Sequence, residues 1–201
     1  MAFTPRLTVP DSNDPRWIMT AYGGYNQCIP GAYGPPSVLP NCTGYVHGRA
    51  MEIAGATTDN LGLSLGDAVS YWSGSSSDWV QDSEPSLGAI ACYYQLNSGD
   101  GHPGHVAVVE EIIDADTAVI SESNYSTLSG YYFRTWTIRR SYAWTPFPNP
   151  ADYLVGIQGF LKNPYVTPTP PPPTPTYGGS QLIKKWYATS RISGTIRKRR
   201  L

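Results

Sequence analysis

Apolar residues fall at helical spacing in one stretch of the chain and in short strand-like runs further on. From Cys42 to about Ala54, Val46, Ala50 and Ile53 recur on one helical face, and Asn41 stands where a helix N-cap is expected. From Ser86 onward the period shortens. The runs LGAIACYY (87–94), HVAVVEEII (105–113), TAVISESNY (117–125), YYFRTWTIR (131–139) and YLVGIQGFL (153–161) are β-rich and separated by turn residues. Before the helix, GGYNQCIPGAYGPPSVLP (23–40) carries Gly, Pro and Tyr throughout and reads as loop. One or two helices followed by about four to six antiparallel strands predict an α+β fold, with the helices packed on the sheet.

The run VTPTPPPPTPT (166–176) interrupts this pattern. Proline alternating with threonine favours polyproline II, which at roughly 3.1 Å per residue holds its ends about 30 Å apart. It divides the 201 residues into an N-terminal extension (1–14), one domain (15–162), a Pro/Thr-rich linker (163–176) and a C-terminal segment (177–201). The last segment is too short to build a core of its own.

Charge sharpens that division. The formal net charge of −1 is the sum of −9 over residues 1–152 and +8 over residues 153–201, which hold every lysine and no acid. The body is acidic and the end basic. No apolar run approaches the ~18 residues of a membrane span, and the first residues show no apolar signal-peptide core. The three cysteines, Cys28, Cys42 and Cys92, form no C-x-x-C and no even framework. Their spacing from His47, His102 and His105 suits no structural zinc pattern, so no metal and no cofactor are expected.

Cys42 falls in the first turn of the predicted helix, where the helix dipole and unpaired N–H groups favour a thiolate and can receive an oxyanion. A small buried core residue is the competing reading. A thiol nucleophile needs a base that titrates near neutrality. His105 opens an apolar strand after the turn GDGHPG (99–104). His102 lies within that turn, and His47 lies in the helix. In Ser121-Glu122-Ser123-Asn124-Tyr125, Glu122 and Asn124 share a strand face, and either can orient an imidazole.

These segments resemble CHAP domains, the cysteine, histidine-dependent amidohydrolases/peptidases of the papain-like clan, near the NlpC-type hydrolases. The resemblance runs from about Tyr22 to Leu161. It rests on Pro40-Asn41-Cys42-Thr43-Gly44-Tyr45 with Gly48-Arg49, Leu65-Gly66-Asp67-Ala68, Pro85-Ser86-Leu87-Gly88-Ala89-Ile90-Ala91, Gly104-His105-Val106-Ala107-Val108-Val109 and Ser121-Glu122-Ser123-Asn124-Tyr125, in family order. It implies Cys42 as nucleophile, His105 as general base and acid, Glu122 as orienting residue and Asn124 as a fourth polar member.

Two departures stand out. The family's Gly-Asn-Ala segment commonly carries a Trp three residues on, whereas Gly66-Asp67-Ala68 is followed here by Tyr71-Trp72. Some phage relatives bind calcium through Asp residues around the nucleophile, whereas Thr43-Gly44 follows Cys42, and no calcium site of that kind is expected.

The implied activity is cleavage of an amide bond in bacterial peptidoglycan, either muramoyl–L-alanine or a stem or cross-bridge peptide bond. Tyr25, Tyr33, Tyr45 and Trp72 are candidates to line a groove for that substrate, with core packing as the alternative. The basic segment 177–201 suits anionic wall polymer or the tail or baseplate proteins of a phage; a solubilising tail is the plain alternative, and no nucleic-acid recognition fold is present. Three functional classes follow. One is a phage-type lysin, acting from the virion tail or released from the host cytoplasm to the wall. The second is a tail-associated protein that keeps the fold with weak or no activity. The third is another papain-like reaction, such as acyl transfer or deamidation.

Overall fold

A computed structural model describes residues 3–11, 13–18, 37–95, 103–123, 132–145 and 155–167. Tyr25, Cys28, Tyr33, His102, Asn124, the proline run beyond Thr167 and the basic segment lie outside the described residues.

Helix α1 spans Cys42–Ala54. Asn41 caps it, its side-chain oxygen accepting from the Gly44 N–H at 2.8 Å. Gly55 ends it in the left-handed region at φ 68°, a conformation that glycine adopts without a Cβ penalty. Gly44 and Gly48, one turn apart, let the chain before the helix come close. A Cβ on Gly44 would press on Val38, and one on Gly48 would overlap the ring of Trp17, which is fully buried. A 3₁₀ turn at Ala68–Ser70 leads into the short helix α2, Tyr71–Gly74.

Six strands follow: β1 (Val80–Asp82), β2 (Ile90–Gln95), β3 (His105–Asp114), β4 (Thr117–Glu122), β5 (Arg134–Arg139) and β6 (Val155–Lys162). They form one antiparallel sheet in the order β1-β6-β2-β3-β4-β5. The α+β class and the helix-then-sheet order match the sequence reading. Strand β1 was not foreseen, because three residues with one apolar position carry no period.

Both faces of the central strands are buried, which is why β2 and β3 read as nearly continuous apolar runs. On one face, Ile90, Cys92, Val106, Val108 and Leu161 pack with Tyr45, Val46, Ala50 and Met51 of α1. On the other, Ala91, Tyr93, Ala107, Ile120, Ile138 and Phe160 pack with Trp144. The outer end of β3, Glu111–Asp114, runs out of this cover and becomes progressively exposed. After β6, Asn163 stays on the body: its side-chain amide donates to the Gly88 carbonyl at 3.1 Å. No helix among the described residues is long and apolar enough to cross a membrane.

Candidate active site

The first turn of α1 meets the start of β3 and the end of β4. Two hydrogen bonds fix that junction. The Asn41 amide donates to Ser123 Oγ at 3.2 Å, tying the residue before Cys42 to the residue after Glu122. Behind it, the Tyr45 hydroxyl donates to Ser121 Oγ at 2.6 Å.

At the junction Cys42, half-buried, hydrogen-bonds with His105. His105 Nε2 lies 2.6 Å from Glu122 Oε2. Since Glu122 takes Nε2, Nδ1 is the nitrogen left for the sulfur. The other carboxylate oxygen, Glu122 Oε1, accepts from the indole N–H of Trp136 at 2.7 Å. The ring of Tyr93, directly opposite His105 in the β2–β3 register, packs against the imidazole with centroids 6.2 Å apart. Glu122 is 1% exposed and His105 5%, so the charges of this group are shielded from water.

Burial by itself would drive His105 toward the neutral imidazole. The Glu122 carboxylate and Cys42 outweigh burial and raise the His105 pKa to about 10. A raised pKa means that the imidazolium is fully held below the ordinary range near 6.5 and lost as pH rises through about 10. Replacing Glu122 by Gln removes the strongest of the raising influences and leaves burial in place. An NMR titration of His105 should therefore show its midpoint well below that of wild type in Glu122→Gln. An unchanged midpoint would mean that Glu122 is not what holds the proton.

The other candidates separate clearly. His47 is buried within α1, with Nδ1 at 2.6 Å from Asp59 Oδ2 and Nε2 donating to the Ser64 carbonyl at 3.1 Å. It is a core histidine, and does not face Cys42. Tyr45 is fully buried, so the proposed groove-lining role does not suit it; it braces the site from behind. Trp72 packs over Gly159 of β6. The buried aromatic after Gly66-Asp67-Ala68 is Tyr71, whose ring meets His47 edge-on. Cys92 is sealed in the core, where burial pushes its thiol up to about 12. No three His, Cys, Asp or Glu side chains among the described residues gather as a metal site.

Sequence reading missed Trp136, Ser123 and Tyr93. Each lies on or beside a strand correctly placed, but its role depends on which neighbour it faces. Period two offered one signal, since Trp136 and Ile138 alternate with Thr135, Thr137 and Arg139.

A cysteine at a helix N-terminus, a histidine beside it and a carboxylate behind the histidine define a thiol-hydrolase type of site. Residues 32–124, which include Cys42, His105 and Glu122, match the family model of the CHAP domain. That match supports a CHAP domain over this stretch, and with it a hydrolase of the cysteine/histidine-dependent amidohydrolase/peptidase kind. No curated protein and no solved structure matches the chain.

Proposed function

We propose that this protein hydrolyses an amide bond of bacterial peptidoglycan, with Cys42 as nucleophile, His105 as general base and acid, and Glu122 holding the imidazole. The observation that carries the reading is the continuous contact Cys42–His105–Glu122 at the N-terminus of α1. The thiolate attacks the carbonyl carbon and a C–S bond forms. The developing oxyanion lies at the start of α1, where first-turn N–H groups have no carbonyl within the helix. His105 then protonates the leaving nitrogen as the C–N bond breaks. Water, deprotonated by the same imidazole, attacks the thioester; the C–S bond breaks, the acid is released and the thiolate returns beside the imidazolium.

Mass spectrometry of digested cell walls tests the reading and names the bond. Release of intact stem peptides with an N-terminal alanine identifies the muramoyl–L-alanine amide. New termini inside the stem or bridge identify a peptide bond. Walls recovered without new termini, across several wall types, would refute the hydrolase reading and favour a structural role.

A further inference from the structure

The Glu122 carboxylate has two oxygens, and only one is needed by His105. The second is occupied by a group from a different strand. Trp136 lies on β5, whose register sets Arg134 opposite Glu122 and Trp136 opposite Ile120, on the same face of the sheet. From there its indole N–H reaches Glu122 Oε1 at 2.7 Å. The Arg134 guanidinium lies 5.7 Å from the centroid of the Trp136 ring. A line of contacts thus runs from Arg134 through Trp136 and Glu122 to His105 and Cys42.

Resting on the Cys42–His105–Glu122 assignment above, we propose that Trp136 is a positioning residue that acts through Glu122. An indole N–H donates and never accepts. It therefore fits an unprotonated carboxylate oxygen and keeps any proton off Oε1. It also stops the carboxylate from turning: with Oε1 held, Oε2 stays on Nε2, and Nδ1 stays on the sulfur. Glu122 is 1% exposed, so water does not readily replace a lost donor.

Two variants separate the donor from the ring. Trp136→Phe keeps an aromatic side chain and removes the N–H. Trp136→Gln gives up the ring and keeps an N–H. The rate of Cys42 alkylation by iodoacetamide at pH 7, read by peptide mass spectrometry on protein shown to be folded by its melting curve, reports the thiolate without needing any wall substrate. Trp136→Phe should slow alkylation several-fold, and Trp136→Gln should recover most of the loss. On cell walls, Trp136→Phe should lower kcat about 10- to 100-fold with KM little changed, as expected for a misplaced catalytic group. Alkylation unchanged in Trp136→Phe, or slowed equally in both variants, would overturn the proposal. If alkylation follows the expected order while the wild type cleaves no wall, the positioning role stands and the peptidoglycan reading fails.

Discussion

Replacing Cys42 by Ala should abolish wall hydrolysis and leave the fold in place. The loss should be on the order of 10⁴- to 10⁶-fold in turnover, the range seen when the nucleophile of a catalytic group that acts as a unit is removed. The fold should survive because the change deletes one half-buried sulfur from the first turn of α1, and alanine is a good helix former. The cap that starts the helix belongs to Asn41, and it is untouched. Loss of turbidity of Gram-positive walls, measured beside a melting curve, checks both halves. Equal lysis by wild type and Cys42→Ala sinks the nucleophile assignment.

The partners of Cys42 sharpen that experiment. His105→Ala should reach nearly the same floor, and the double variant should be no worse than either single one, because the thiolate and imidazole act together. Additive losses would mean that the two residues serve separate steps. His47 supplies an internal control for the choice of base. Its ring is held by Asp59 and the Ser64 carbonyl, so its replacement should act on stability and not on the pH profile of turnover.

Local rules carried much of the fold. The cap at Asn41, the spacing of Val46, Ala50 and Ile53, and the turn residues between apolar runs each act within a few residues, and α1 and five of the six strands followed from them. Cys42, His105 and Glu122 were legible because each sits at the end of such an element. What stayed hidden depends on contacts distant in sequence. Within the run HVAVVEEII nothing in the sequence sets Glu110 apart from Glu111. The sheet places Glu110 at 0% exposure, because period two puts it on the face of Val106 and Val108, beneath α1. Its partner, Arg49, comes from 61 residues earlier. Tyr45 seemed a groove residue for the same reason, since nothing near it in sequence announces Ser121.

Those hidden residues predict the largest effect on stability. Arg49 Nε donates to Glu110 Oε1 at 2.9 Å, and Arg49 Nη2 donates to Glu110 Oε2 at 2.8 Å, so the pair is bidentate and buried. Glu110 also accepts from Ser121 Oγ at 2.6 Å and from the Arg6 amide at 2.8 Å. Arg49 also reaches Glu52, the Thr4 carbonyl at 2.6 Å and the face of Phe3. The node joins α1, β3, β4 and the segment 3–6, and the first three of these carry Cys42, His105 and Glu122. Removing Arg49 leaves the buried Glu110 carboxylate without that counter-ion, which costs about 3–5 kcal/mol, whereas removing Glu110 leaves Arg49 its contact with Glu52. Arg49→Met should lower the free energy of unfolding, measured by urea titration, by that amount, and Glu110→Gln by less. Arg49→Met combined with Glu110→Gln should cost much less than the two single losses together, because no uncompensated ion remains, although Glu52 and the amide of Arg6 keep the total above zero. A double variant whose loss equals the sum of the singles would show that the two charges do not act as a pair. Folded protein recovered from either single variant should also turn over more slowly than wild type. Ser121 then loses either its acceptor's full charge or the ion that orients that acceptor, and Ser121 is what holds Tyr45, one turn beyond Cys42, against the strand that bears Glu122.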